Sequence, residues 1–194
     1  VRREAKTVEM EDLDLAIERV VAGLQKKTPL SPQVRRKVAY HEVGHALSAY
    51  YLKHADPVHK ISIIPTAKGA LGYTMQMPEE DQYLITEEDL KTRMAVMLGG
   101  RAAELLIFNE ASTGASNDLE RVTMLARRMI TEFGMSEKLG PVRYSNTEGM
   151  YLQTGSTNRT DLSPKTLACI DEEIRDLIKA AQQRSMDILI EHRA

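Results

Sequence analysis

The sequence predicts a mainly α domain carrying one small β-hairpin or ribbon. Three observations lead there. Apolar residues recur at helical spacing in five segments, separated by Pro- and Gly-bearing breaks. Between the second and third of these the period changes to short β-branched runs. The chain has no Trp and only two Phe but ten Met, a profile that suits helix packing better than a β-sandwich.

At 194 residues the chain is long enough for one domain, or one and a fraction, with a proper core. Hydrophobic residues make up 42% and charged residues 28%, the mixture of an ordinary globular protein, which excludes disorder and low complexity. Lys and Arg number 26 against 28 Asp and Glu, a formal charge of −2. No strong basic field exists for nucleic acid or an anionic membrane surface. The lone Cys169 cannot form an intramolecular disulfide, which suits a reducing compartment. No apolar run approaches the ~20 residues of a spanning helix, and no signal-peptide pattern opens the chain. It begins at Val1 rather than Met, so a fragment or processed product of a longer protein is expected, and membrane segments elsewhere in that protein remain open.

Residues 9–24 read as an amphipathic helix, with Leu13, Ile17, Val20, Val21 and Leu24 on one face and Gly23 and Pro29 closing it. Its charge and the Pro-bearing link that follows mark it as the tail of a preceding unit. Ser31-Pro32 starts a second helix, Ser as N-cap and Pro in the first turn, expected to run to about Lys53 before Asp56-Pro57. Residues 60–64 and 71–77, joined by a turn and ended by Pro65 and Pro78, form the β element. Thr86 with Glu87, Glu88 and Asp89 caps a third helix reaching Phe108. Gly99-Gly100 in its middle costs about 1 kcal/mol per Gly relative to Ala, and so implies close approach by another element. After a loop over 111–116, a fourth helix runs to Phe133, with Gly134 as its C′ residue. Residues 137–160 are irregular, and Ser163-Pro164 starts a last long helix to about His192.

The chemistry is concentrated in His41-Glu42-Val43-Gly44-His45. On a helix, residues i and i+4 share a face with Cβ atoms about 5–6 Å apart, so two imidazoles can converge on one zinc ion. Glu42 projects about 100° round the helix, beside the open position of the metal. There it can take a proton from an activated water and pass it to a leaving amine. Gly44 removes a side chain next to the metal, where a substrate backbone could pass. The plainer reading, two surface histidines on an amphipathic helix, leaves Glu42 and the helical frame unexplained.

A catalytic zinc needs a third protein ligand. The extended metzincin pattern would place Gly at Ser48 and His at Tyr51, so that family is excluded. His54 is more than two turns from His45, His59 begins a strand, and His192 falls at a fraying terminus. A carboxylate is therefore expected. Asp118 shares the apolar stripe of the fourth helix with Val122, Leu125, Ala126, Met129 and Phe133, and a carboxylate in a core-facing row is costly unless paired or metal-bound. Its alternative role is to cap its own helix with Ser116 and Asn117. Glu104 is the rival, as a ligand, as an acceptor from a ligating imidazole, or as the ion-pair partner of Arg101. Asp56 suits a structural turn and Cys169 a buried, inert thiol. On the residues alone Asp118 and Glu104 both stand. There is no P-loop and no local signature of a Ser-His-Asp site.

HEVGHA at 41–46, HADPVHKISIIP at 54–65, LGY at 71–73, GGRAAE at 99–104 and STGASNDL at 112–119 together resemble the FtsH family of membrane-anchored, ATP-dependent zinc metalloproteases. The match runs from about Thr7 to the last helix. The resemblance implies that residues 1–28 are the end of an AAA lid with its linker, and 29–194 a helical zinc-metalloprotease domain with its β-ribbon near the active site. It implies zinc on His41, His45 and Asp118, with Glu42 as the catalytic base. It further implies a homo-hexameric ring that degrades unfolded or membrane proteins, ATP being used by a module outside this chain. The segment 71–77 is similar to edge strands that hold an extended peptide by β-augmentation. The full-length protein is then expected on the cytoplasmic face of the cell inner membrane, or in an organellar counterpart. Two other readings are a small-substrate zinc amidase of the deformylase kind and a non-catalytic ring-assembly module. An upstream Cys ligand, which the first would need, is missing, and the intact Glu42 speaks against the second.

Overall fold

The computed structural model describes residues 7–26, 29–78, 83–144 and 162–193. Five α-helices and one two-stranded antiparallel sheet make a mainly α fold: α1 (Met10–Val21), α2 (Pro32–Tyr51), β1 (Val58–Ser62), β2 (Tyr73–Gln76), α3 (Glu87–Phe108), α4 (Ser116–Thr131) and α5 (Pro164–Glu191). The irregular segment expected over 137–160 lies outside the described residues from 145 onward.

The helix starts follow their caps. Ser31 Oγ accepts from the Val34 amide ahead of Pro32, and Ser163 Oγ from the Thr166 amide ahead of Pro164. Thr86 and Asp89 form a reciprocal capping box on α3, whose first turn carries three carboxylates. At the end of α4, Gly134 takes φ +65°, and the Met135 amide returns to the Met129 carbonyl. Helix α2 stops at Tyr51, two residues short of expectation, and His54 takes a left-handed conformation (φ 66°) on the way to β1.

Helix α3 is the hub, packed against α2, α4 and α5. Met94, Leu98, Val122, Met129 and Ile130 are fully or almost fully buried between these helices. The α2–α3 crossing is closest at two glycines. A Cβ on Gly44 would lie 2.4 Å from the Gly99 carbonyl oxygen, and one on Gly99 would lie 2.5 Å from that of Gly44. The close approach implied by Gly99-Gly100 is thus made by α2. It also corrects the reading of Gly44, whose missing side chain admits α3 rather than a substrate.

The sheet packs on α2. Its register pairs Ile61 with Thr74 and Ser62 with Tyr73, with a bulge at His59 between the Val58–Gln76 and Lys60–Met75 pairs. Among the described residues, only β1 pairs with β2, so the other edge of β2 carries no strand. Helix α1 keeps its apolar row exposed, Val20 at 76%. It is tied to the ribbon by polar groups: Glu18 pairs with Lys60, and Lys68 Nζ donates to the Val20 and Val21 carbonyls. No described helix is long and apolar enough to cross a membrane.

Candidate metal centre

His41, Glu42 and His45 lie on the part of α2 that crosses α3, and His41 and Glu42 are buried. The close crossing brings three positions of α3, spaced by four residues, under the imidazoles. The Val96 carbonyl is 2.8 Å from His45 Nδ1, and Glu104 Oε1 is 2.8 Å from His41 Nδ1. Between them, Gly100 leaves room for both rings. A Cβ there would be 2.6 Å from each Nε2. Glu104 is itself fixed, accepting from the Ser112 amide at 2.6 Å and the Ser112 hydroxyl at 2.9 Å.

These partners set the tautomers. A carbonyl and an ionised carboxylate only accept, so each Nδ1 must donate and each neutral ring presents a lone pair at Nε2. The two Nε2 atoms are 3.1 Å apart. Asp118, at the start of α4, places Oδ2 3.3 Å from Nε2 of His41 and 3.4 Å from that of His45. Three acceptors therefore converge on one point. Tetrahedral ligands at zinc distances lie ~3.3 Å from one another, so the spacing fits that ion. Among the described residues, the group that could hold a metal is His41, His45 and Asp118.

Titration follows the same geometry. Burial pushes the His41 pKa down, but hydrogen bonds to Asp118 and Glu104 and the charge of Glu42 outweigh it, and the net direction is up. Burial would raise Asp118, yet the two imidazoles hold it far below the usual carboxylate range. The centre favours positive charge. A proton on His41 answers it in part, whereas a divalent cation answers all three atoms. For Glu42, burial lifts the carboxyl above its ordinary value, although Thr74 and both imidazoles pull the other way.

The remaining candidates separate from this cluster. Glu104 bonds the outer nitrogen of His41 and stays outside the converging trio. Asp118 does not cap α4, whose N-cap is Ala115. His54 Nδ1 lies 3.4 Å from Asp89, and His59 is exposed. His192 is not frayed, for its ring stacks on Tyr51 with centroids 3.5 Å apart. Cys169 is half-buried on α5, and the Asp56 carbonyl accepts from Gln76. Three contributors had no assigned role in the sequence reading: the Val96 carbonyl, Ser112 and Thr74. The first is main chain and leaves no sequence signal. Ser112 lies inside the STGASNDL motif, where a side chain able to hold Glu104 could have been sought.

A family model for "Peptidase family M41" matches residues 28–194. The chain belongs to peptidase family M41. Its M41 relatives include proteins named ATP-dependent zinc metalloprotease FtsH from Clostridium perfringens, 50% identical over all of this chain and 27% of that protein, and from Pseudothermotoga lettingae, 48% identical over 95% of this chain and 30% of that protein. The FtsH 1 of Conexibacter woesei is 50% identical over 99% of this chain and 29% of its own length. The chain thus spans under a third of the length of these M41 proteins. The family identifies the domain as a zinc metallopeptidase, as the HEVGH motif led one to expect.

Proposed function

We propose that this domain is a zinc-dependent endopeptidase in which His41, His45 and Asp118 hold the metal and Glu42 is the general base. The observation that carries the reading is the convergence of His41 Nε2, His45 Nε2 and Asp118 Oδ2 on one point, with each imidazole held from behind at its Nδ1. Bound zinc supplies Lewis acidity toward a water molecule and the scissile carbonyl. The chain's own residues do the rest. Glu104 and the Val96 carbonyl fix the ring orientations. Glu42 takes a proton from the attacking water and delivers it to the leaving amine nitrogen. The free edge of β2 receives an extended peptide through main-chain hydrogen bonds, which accounts for broad sequence tolerance. The FtsH resemblance and the names of the relatives support a larger setting: an ATP-driven, membrane-anchored homo-hexamer that degrades unfolded or membrane proteins, with α1 as the end of an AAA lid. The exposed apolar row of α1 agrees with a covering unit before it in the ring.

The test is a set of three variants assayed on an unfolded protein with zinc supplied. Glu42→Gln is expected to keep its zinc and fold while cleavage falls by roughly 10²–10⁴-fold. Asp118→Ala is expected to lose zinc, and Glu104→Ala to lower zinc affinity less, about 10–100-fold. Wild-type cleavage by Glu42→Gln would remove the base assignment, and the opposite order of zinc loss would exchange the two carboxylates.

A further inference from the structure

Thr74 of β2 reaches Glu42, the carboxylate assigned as the base and not one of the three converging groups. Its Oγ1 lies 2.9 Å from Glu42 Oε2 and 2.9 Å from the Glu42 carbonyl oxygen. A threonine hydroxyl has a single proton, and the ionised carboxylate is the stronger acceptor. The Glu42 carbonyl, at the same distance, is a second acceptor with which that proton can be shared. Just before β2, Gly72 lies close to the other carboxylate oxygen. A Cβ there would lie 2.9 Å from Oε1 and 2.8 Å from a Val38 methyl carbon. On one side of the carboxylate there is therefore no room for a side chain at position 72, and on the other it is held by one hydroxyl. Among the described residues, no other side-chain hydroxyl, amide or cation is hydrogen-bonded to it.

We infer that Thr74 is a positioning residue for the general base: its hydroxyl holds the Glu42 carboxylate at the angle from which it can reach the attacking water. This rests on the endopeptidase reading above, and it adds a coupling. The strand that would take the peptide backbone also fixes the base, so substrate and base share one rigid reference. Losing the hydroxyl frees the carboxylate to rotate while metal ligands and strand pairing stay in place. Misplacing a reacting group by about 1 Å costs roughly 10²-fold in rate without requiring weaker binding.

The test compares wild type, Thr74→Val and Thr74→Ser, each loaded with zinc. Thr74→Val keeps the branched shape and removes the hydroxyl; Thr74→Ser keeps the hydroxyl. Thr74→Val is expected to retain zinc content and thermal midpoint, to lose roughly 10–100-fold in kcat on a fluorogenic peptide, and to change KM less than twofold. Thr74→Ser is expected to recover most of that kcat. Crystal structures of both variants give a readout independent of turnover: the Glu42 carboxylate is expected to have turned in Thr74→Val and stayed in Thr74→Ser. An unmoved carboxylate in Thr74→Val, undiminished kcat, or a loss confined to KM would each overturn the inference. A wild-type domain that binds zinc but cleaves nothing would instead overturn the endopeptidase reading, and the carboxylate positions would still decide the role of Thr74.

Discussion

Single side chains in this protein are placed by what lies behind them. His41 faces the metal cluster because Glu104 holds its outer nitrogen, and Glu104 is in place because Ser112 donates to it twice. A chain of buried and partly buried bonds thus runs from the loop before α4 to the centre of α2. A simpler case is Asp89. Its carboxylate accepts from the Thr86 hydroxyl and amide and lies near His54, so its pKa is lowered from the usual 3.8. A carboxyl depressed by folding adds stability that is complete above its unfolded value and vanishes as pH falls through the folded one. Asp89→Asn is therefore expected to lower stability near neutrality and to flatten the decline below about pH 4, as read by urea unfolding at pH 7 and pH 3. An equal effect at both pH values would mean that the cap acts through shape rather than charge.

At the level of elements, the α2–α3 pair depends on missing side chains. Gly99→Ala would drive a methyl group against the Gly44 carbonyl and the Ser48 hydroxyl, and neither helix can yield locally. A loss of about 1–3 kcal/mol is expected in urea unfolding. Gly100→Ala meets imidazole rings instead of backbone, so its larger effect is expected in zinc uptake, measured by metal analysis of the purified variant. The helices were legible because they announce themselves locally. Ser31-Pro32, Thr86-Glu87-Glu88-Asp89 and Ser163-Pro164 are each a cap and first turn complete in four residues or fewer. The glycine pair signalled a contact but not its partner, because Gly44 was first explained by its nearness to the metal. Thr74 left no signal at all. A threonine in a strand is ordinary, and only the packing of β2 on α2 makes its hydroxyl a neighbour of Glu42.

Over the whole molecule, α3 organises the rest, and the site draws on four elements. Two histidines come from α2, their supports from α3, the converging carboxylate from α4 and the hold on Glu42 from β2. The HEVGH pair was readable because its spacing is local. Asp118 stayed level with Glu104 on residues alone because the choice depends on how α4 docks, which lies 73 positions beyond His45 in a different helix. That docking has a mechanical side. On the proposed ligand set, a cation gripped by α2 and α4 is a rivet through the body of the domain, fastening segments that the chain connects only by a long detour. Occupancy is then worth ~4 kcal/mol at a free-ion concentration a thousandfold above Kd. Chelation is expected to lower the melting temperature and open the α4 seam to added trypsin, even in Glu42→Gln, where little turnover remains to be lost. The ion that arms the blade would also be keeping its handle together.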